Sequence, residues 1–342
     1  MASDTLPSET GNVIISVIVI AHDRRQFLKL ALESLVNQSV DKSMYEVIIV
    51  KNFEDCALDR YAFEHSMVNI LTNEINAGRK ISIGIKASKG KIVCMLADDD
   101  LFSPNKLEKV LYYFNTVSNL VYYHNAFATI DLDGKEIKIP YYLNPQETIF
   151  SFNEKIDLNV ISKMVKYKGY HNDSSISILK KFYLPYLKEL ESLKASWDVF
   201  FFFLSFAKGS VTLLDSDILT KFRVHNSMSQ FSGDYEKFLS RRVELALTYI
   251  NEYGIIESLI SDNDLRDYLK YNGLGWKVIY QTLSQRKHSK FSLSDYLTLL
   301  RYFRYYMPQG RLLTLIGLFM STCFGSISSK LYFYYNNLSR KY

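Results

Sequence analysis

Short apolar runs alternate with amphipathic stretches along the first third of the chain. The runs are rich in Val and Ile and occupy residues 14–23, 45–53, 67–74 and 91–96. Runs of this length and composition are typical of buried strands. Alternation of such strands with helices predicts an α/β fold, with a mostly parallel central sheet flanked by helices.

Three helices are predicted between or after these strands. Leucines at helical spacing in residues 24–38 predict the first, with Asp23 as its cap. Residues 81–90 predict a second helix, closed by Gly90. The third is expected to open at Ser103, which is followed by a proline.

The second part of the chain has a less regular pattern. A turn at Asp131–Gly134 predicts two neighbouring strands, whereas residues 145–195 show no regular period. Residues 196–209, SWDVFFFFLSFAKG, are typical of an apolar helix, and residues 210–229 predict one or two strands. From Asp234 onward the pattern predicts helices.

Composition indicates a globular protein of a reducing compartment. Hydrophobic residues make up 48% of the chain and charged residues 23%, which is enough apolar material for a buried core. The three cysteines have no spacing typical of a disulfide framework or a metal site. Residues 1–12 are polar and contain no apolar signal segment, so we expect a disordered lead and a cytoplasmic protein.

Basic charge is concentrated at the end of the chain. Residues 286–342 hold nine Lys and Arg but one acid, although the whole chain has a net charge of only +5. Within them, residues 311–328 are apolar but interrupted by Thr, Ser and Gly, and basic and aromatic residues flank them. This pattern favours a helix lying in a membrane interface. We therefore expect residues 290–342 to meet the inner face of the cell membrane; the alternative is a pair of helices packed on the rest of the protein.

Three consecutive carboxylates, Asp98 to Asp100, follow the strand KIVCML. Adjacent carboxylates raise one another's pKa unless a cation is present, and Mg²⁺ or Mn²⁺ is a suitable partner for such oxygen ligands. Ligands bind at the carboxyl ends of parallel strands, which favours a site here. If the chain stays extended, Asp98 and Asp100 share one side and Asp99 faces the other. The alternative is a solvated acidic turn before the next helix.

Three sequence segments together resemble glycosyltransferase family 2. They are SVIVIAHDRRQFLKLALESLVNQ, YEVIIVKNFED and NAGRKISIGIKASKGKIVCMLADDDLFSPNKLE, and the resemblance extends over residues 14–229. It implies the GT-A fold, which is Rossmann-like, and a nucleotide-diphospho-sugar as the donor substrate. The first two strand ends depart from the family's pattern: IAHDR stands where the family has Pro-Thr-Tyr-Asn-Arg, and KNFE where it has Asp-Asp-Gly-Ser.

The resemblance also implies roles for individual residues on the donor side. The family's Asp-x-Asp motif falls on the triplet, which would bind the sugar-nucleotide and a Mg²⁺ or Mn²⁺ ion. Arg223 is expected to contact the diphosphate. The donor-binding residues are then expected to be Ala21, His22, Asp23, Asn52, Arg79, Asp98 and Asp99. The expected metal ligands are Asp99, Asp100 and His225.

On the acceptor side, SWDVFFFFL resembles the family segment that carries the general base, which places that role on Asp198. A sugar hydroxyl is a weak nucleophile and needs a carboxylate to accept its proton. Trp197 offers a flat face for a sugar ring, and Asp173 in the polar segment HNDSS is assigned to acceptor binding with it. The alternative for Asp198 is a helix cap.

The sequence thus predicts an inverting, metal-dependent glycosyltransferase acting on a glycan or lipid-linked acceptor. Its expected parts are a GT-A domain over 13–230, with a donor half (13–115) and an acceptor half (116–230), and a helical region over 231–342. A degenerate sugar-nucleotide-binding or carbohydrate-binding module and a nucleotidyltransferase are the competing hypotheses. No Gly-rich phosphate loop or dinucleotide fingerprint follows the first strand, and no nucleic-acid partner is expected.

Overall fold

The computed structural model describes residues 13–139, 142–224, 234–284 and 292–301, together with Lys330 and Tyr332. The chain divides into two units, residues 1–225 and 226–342. The predicted disordered lead, residues 1–12, lies outside the described residues.

Four parallel strands form one side of the central sheet. In spatial order β3–β2–β1–β4, they are Val68–Leu71 (β3), Tyr45–Lys51 (β2), Ile15–Ile20 (β1) and Ile92–Ala97 (β4). Helices Leu28–Val36 (α1), Cys56–Glu64 (α2) and Ala77–Ala87 (α3) connect them. The apolar side chains of β1 and β4 are almost fully buried, as expected of central strands covered on both faces. The predicted α/β architecture is therefore confirmed.

The other side of the sheet is mixed. Its strands are Leu101–Phe102 (β5), Leu120–Ile130 (β6), Glu136–Ile137 (β7), Ile149–Phe152 (β8), Ile176–Leu179 (β9) and Val211–Arg223 (β10). Strand β9 lies antiparallel between β4 and β6, and β10 is parallel to β6. The predicted pair of strands around Asp131–Gly134 is confirmed as β6 and β7.

Residues 145–195, which showed no period, contain regular structure. Besides β8 and β9 they form Leu158–Lys166 (α5), Lys180–Tyr183 (α6), Leu187–Leu190 (α7) and a 3₁₀ turn at Asp173–Ser175. Strand β9 is short and buried on both faces, so alternation does not reveal it. Helix α5 does carry a local signal that was missed, since Asp157 caps it and Ile161, Met164 and Val165 stand at helical spacing. The apolar helix expected in residues 196–209 is Trp197–Leu204 (α8), whose four phenylalanines are buried.

The ends of three predicted helices differ from the structure. Helix α3 begins after Asn76, whose side-chain oxygen accepts from the Arg79 amide at 3.1 Å, and it ends at Ala87. Gly90 instead allows close approach to β1, because a Cβ there would lie 2.6 Å from the Ser16 nitrogen. The helix expected from Ser103 is Lys106–Thr116 (α4). Asp23 caps no helix, since α1 starts after Phe27.

The second unit is helical in its described part. It contains Tyr235–Leu259 (α9), Asn263–Leu283 (α10) and Leu293–Arg301 (α11). Tyr249 of α9 stacks on Trp276 of α10 with 4.0 Å between ring centroids, and Lys277 pairs with Asp295 at 2.9 Å. Within the described ranges, no helix is both long and apolar enough to span a membrane. Residues 302–329, on which the membrane prediction depends, lie outside those ranges.

Candidate active site

The carboxyl ends of β1, β2 and β4 lie side by side. Ile20, the last residue of β1, is paired with Val50 on one side and with Ala97 on the other. The three polar segments that follow these strands therefore share one edge of the sheet, as the sequence predicted.

Asp23 and Asn52 join the ends of β1 and β2. The Asn52 amide donates to the Asp23 carboxylate at 2.7 Å, and the Asp23 backbone N–H donates to Asn52 Oδ1 at 2.9 Å. Asp23 adopts a left-handed conformation with φ of 55°, which Asp tolerates better than most residues. The structure thus brings together two residues that were assigned to the sugar-nucleotide.

Lys80, rather than Arg79, reaches the end of β1. Lys80 is buried and its ammonium donates to the Ala21 carbonyl at 3.2 Å and contacts His22 Nδ1 at 2.6 Å. Arg79 points to the exposed side of α3 and pairs with Glu74 at 3.2 Å. Successive residues of a helix point about 100° apart, so one side chain of this pair faces the sheet edge. The structure therefore places Lys80, and not Arg79, at this sheet edge, and the donor-binding role expected of Arg79 stays a prediction.

The acidic triplet does not continue the extended strand. The chain turns directly after Ala97, and the Asp100 amide donates back to the Ala97 carbonyl. Asp98 and Asp99 consequently face the same guanidinium, that of Arg24, with 2.7 Å between Asp99 Oδ2 and Nη1. Asp100 points elsewhere, and the predicted sharing of one side by Asp98 and Asp100 is wrong.

Asp100 is held inside the protein. Its two carboxylate oxygens accept from the Ser174 hydroxyl at 2.6 Å and from the Arg223 backbone N–H at 2.8 Å. Burial, together with neighbouring Asp99, raises the pKa of Asp100 well above its usual range. Burial also raises the pKa of Asp98 to about 6, against the opposing effect of Arg24. A second cation near the triplet would reduce the free-energy cost of keeping these buried carboxylates charged.

Arg223 is buried beneath the triplet. Its guanidinium donates to the backbone carbonyls of Asp99 at 2.9 Å, Asp131 at 2.9 Å and Leu132 at 3.0 Å. It also lies over the Phe27 ring, 4.4 Å from the centroid. These contacts fix the backbone around the triplet, and the expected contact with a diphosphate stays a prediction. His225, an expected metal ligand, lies outside the described residues.

The acceptor-side residues lie around Asp173. Burial, together with the charge of Asp99, raises the pKa of the Asp173 carboxyl to about 6, and the Trp197 indole opposes this rise. Asp173 therefore lies close to both Trp197 and Asp99. The Trp197 indole nitrogen is buried, and it makes no hydrogen bond of good geometry to any described residue. Asp198 lies in the first turn of α8, half-buried, and its carboxylate accepts from the Val199 amide at 2.7 Å.

Three functional candidates were not assigned from the sequence: Arg24, Lys106 and Ser174. Arg24 directly follows Asp23, which was assigned, so its position next to a motif was the available signal. Lys106 and Ser174 are buried and lie far apart in the chain, and the Lys106 ammonium donates to the Ser174 backbone carbonyl. No local pattern marks such a contact.

The triplet holds the carboxylates that could bind a metal ion. No group of three or more His, Cys, Asp or Glu side chains forms a ready metal site within the described ranges. Mg²⁺ and Mn²⁺ sites in nucleotide enzymes use one or two carboxylates and complete the shell with water and substrate phosphates. Asp99 and Asp100 fit that smaller requirement, since both supply hard oxygen atoms and lie next to each other at the carboxyl end of β4.

Comparisons with known proteins agree on one family. Residues 16–177 match the model of glycosyl transferase family 2. An uncharacterized glycosyltransferase of Haemophilus influenzae is 36% identical over 127 residues, which cover 35% of this chain and 42% of that protein. The O-antigen biosynthesis glycosyltransferase WbnJ of Escherichia coli is 25% identical over 236 residues, 64% of this chain and 83% of WbnJ. The chain thus spans less than half of the first of these relatives.

Two solved structures share the fold. S. aureus TarS superimposes with a TM-score of 0.53 at 12% identity, covering 87% of this chain and 55% of TarS. TarS 1-349 in complex with UDP-GlcNAc superimposes with a TM-score of 0.50 at 15% identity, covering 87% and 91%. At these identities the likeness concerns the fold.

Proposed function

We propose that this chain, a member of glycosyltransferase family 2 through its residues 16–177, transfers a sugar from a nucleotide-diphospho-sugar to an acceptor hydroxyl group. The observation that carries the proposal is the convergence of the acidic triplet with the ends of β1 and β2 at one sheet edge. Asp173, whose carboxyl interacts with Asp99, connects that edge to the acceptor side.

The donor substrate binds along this edge in the proposed mechanism. Asp23 and Asn52 form the polar end that receives the nucleoside, and Lys80 and Arg24 supply positive charge beside the phosphates. Asp99 and Asp100 would hold a Mg²⁺ or Mn²⁺ ion. Such an ion stabilises the charge that develops on the leaving nucleoside diphosphate.

Asp198 accepts the proton of the acceptor hydroxyl as its oxygen attacks the anomeric carbon. The bond between that carbon and the diphosphate oxygen breaks, and the nucleoside diphosphate leaves with the electron pair. Attack from the opposite face inverts the anomeric centre. Trp197 and Asp173 orient the acceptor, and holding both substrates in line supplies much of the rate.

The acceptor is proposed to be a growing glycan, free or linked to lipid. WbnJ, a relative covering 64% of this chain, is named for O-antigen biosynthesis, which concerns a surface polysaccharide. The basic, aromatic C-terminal segment, residues 290–342, would hold the enzyme at the inner face of the membrane, where a lipid-linked acceptor resides.

The experiment is a donor screen on the full chain. UDP-GlcNAc, the ligand of the TarS complex, is tested first, followed by other UDP-, GDP- and dTDP-sugars, each with and without Mn²⁺. Release of nucleoside diphosphate, with sugar appearing on a glycan acceptor, is the expected result. Absence of both release and transfer with every donor and acceptor would contradict the proposal.

A non-catalytic sugar-nucleotide-binding module is the second candidate. The observation in its favour is Arg24, an internal cation that already engages Asp98 and Asp99. This candidate predicts that a nucleotide-sugar binds in calorimetry without being hydrolysed or transferred. The same screen separates the two candidates.

A further inference from the structure

Ser174 links the acidic triplet to the acceptor-side turn. It is fully buried, and its hydroxyl donates to Asp100 Oδ2 at 2.6 Å while accepting from the Ala97 backbone N–H at 3.0 Å. The hydroxyl therefore contacts both the last residue of β4 and the last carboxylate of the triplet. Asp173, on the same 3₁₀ turn, is the residue directly before it.

The backbone carbonyl of Ser174 is held from the other side. It accepts from the Thr220 hydroxyl at 3.0 Å and from the Lys106 ammonium. Thr220 Oγ1 in turn accepts from Lys106 at 3.1 Å and from the Asn125 amide at 3.0 Å. Every hydrogen-bonding group of the Thr220 hydroxyl is used, so Thr220 and Lys106 together hold the turn from this side.

Lys106 is an unusual residue for this place. It is fully buried, and no described carboxylate lies within ion-pair distance of its ammonium group, which rests 3.9 Å from the centroid of the Phe102 ring. Burial lowers the pKa of Lys106 to about 7. A buried ammonium costs stability relative to an apolar side chain of similar size. The contacts with Ser174 and Thr220 give a reason for the lysine that packing alone does not.

We propose that Ser174, with Lys106 and Thr220 behind it, is a positioning network that fixes Asp100 and Asp173 relative to each other. Rotation of the turn would move both carboxyls, because one is bonded to Ser174 and the other precedes it in the chain. The network thereby couples the donor site to the acceptor site. This inference rests on the proposed glycosyltransferase function.

The first test is Ser174→Ala, with Ser177→Ala as the matched control. Ser177 is also fully buried, lies three residues further on, and bonds to Cys94 rather than to a carboxylate. Binding of Mn²⁺ alone and of Mn²⁺ with UDP, GDP or dTDP is measured by calorimetry on the full chain. Loss of an outer partner of a metal ligand typically weakens binding about 10–100-fold. We expect that loss for Ser174→Ala, and equal affinities for the two variants would overturn the inference.

The second test is Lys106→Met, with Lys109→Met on the same helix as control. Lys109 is paired with Asp217 at 2.7 Å and has no contact with Ser174 among the described interactions. The positioning role predicts that Lys106→Met lowers kcat for transfer and Mn²⁺–nucleotide affinity while the melting temperature stays level or rises, because a buried charge is removed. A melting temperature that falls while affinity and kcat stay unchanged would indicate a structural role and overturn the proposal.

Failure of this inference can be told apart from failure of the proposed function. If the unaltered chain neither hydrolyses any nucleotide-sugar nor transfers its sugar, the proposed function itself is contradicted. If the unaltered chain is active and Ser174→Ala, Lys106→Met and Thr220→Val all keep its kcat and affinities, the function stands and the positioning network is contradicted.

Discussion

Arg24 is the side chain that stabilises two adjacent carboxylates at the end of β4. Asp98 is nearly fully buried, and neighbouring negative charges disfavour one another in such surroundings. The guanidinium faces both Asp98 and Asp99, so one cation offsets both charges.

Arg24→Met is expected to destabilise the metal-free protein by about 1–3 kcal/mol, between the values typical of exposed and buried ion pairs. Added Mn²⁺ should restore part of the loss, because a second cation replaces the guanidinium. Thermal unfolding with and without Mn²⁺ measures both effects. The control is Arg25→Met, whose guanidinium is exposed and lies over Phe53. An equal effect of both variants would contradict the role given to Arg24.

Asp198→Asn tests the general base. Transfer should fall by about 10²–10⁴-fold, the usual contribution of a positioned base, whereas affinity for the nucleotide-sugar stays unchanged. Asp157→Asn is the control, since Asp157 also lies at a helix start and caps α5. If Asp198→Asn transfers sugar as fast as the control does, another residue accepts the proton.

The buried His124 and the half-buried His171 predict a defined pH effect. Burial lowers the pKa of His124 to about 3 and of His171 to about 4, below the value near 6.5 of an unfolded chain. Between these folded-state pKa values and about pH 6.5, the histidines bind more protons in the unfolded chain than in the folded protein. The stability that the two neutral histidines contribute is therefore fully present above about pH 6.5 and is lost as the pH falls. The raised pKa values of Asp98 and Asp173 act with the opposite sign.

A comparison of His171→Phe with the unaltered chain isolates the histidine, because the carboxyl contributions cancel in the difference. Phenylalanine can keep the stacking on Tyr142, whose ring centroid lies 5.0 Å away. From pH 7 to pH 5 the variant should gain about 2 kcal/mol of unfolding free energy relative to the unaltered chain. Denaturant titrations at both pH values measure this, and a constant difference would show that His171 is protonated in the folded protein.

Helix α3 owes its placement to glycine. A Cβ at Gly78 would lie 2.1 Å from the Leu190 carbonyl oxygen and 2.5 Å from that of Leu193, both backbone atoms that cannot move aside cheaply. The Gly78 amide also donates to the Leu193 backbone carbonyl at 3.2 Å. This close approach sets the helix against residues 190–193 and so determines where Lys80 enters the site.

Gly78→Ala should therefore destabilise the protein by about 2 kcal/mol or more, as overpacking does, and weaken nucleotide binding through Lys80. Gly254→Ala in α9 is the matched change, because a Cβ there meets no atom within 4 Å. That variant should gain about 0.5–1 kcal/mol from helix propensity. Denaturant unfolding followed by circular dichroism compares them, and equal effects would contradict the packing argument.

For the protein as a whole, the two units carry different tasks in our proposal. The unit formed by residues 1–225 holds every described residue of the candidate site, whereas residues 290–342 carry the excess basic charge. Membrane contact would then bring the enzyme to its acceptor without contributing to the chemistry.

In a density-gradient flotation experiment, the full chain should rise with vesicles that contain anionic lipid. With neutral vesicles it should remain in the bottom fraction. A chain carrying Ile316→Asp and Phe319→Asp should float less, since both positions lie in the apolar stretch 311–328. Donor hydrolysis should be equal in the two chains. Equal flotation of both, or none with anionic vesicles, would contradict the membrane prediction.

Local pattern was enough to locate the sheet edge at which we propose that the donor binds. The runs that became β1, β2 and β4 are short, apolar and bounded by polar residues, so their carboxyl ends and the acids after β4 could be located without coordinates. The same pattern, with the motifs it carries, indicated the family. These features depend on neighbours within a few residues.

Only the tertiary structure decided how the site is arranged. Asp100 and Ser174 are 74 positions apart in the chain, and they meet because β9 inserts antiparallel beside β4 and places the Asp173–Ser175 turn at its end. Tertiary contacts also decide that Lys80, and not Arg79, lies at the sheet edge. They likewise decide the turn that points Asp100 away from Asp98 and Asp99. Each depends on burial and hydrogen bonding between distant segments, which no local period of the sequence encodes.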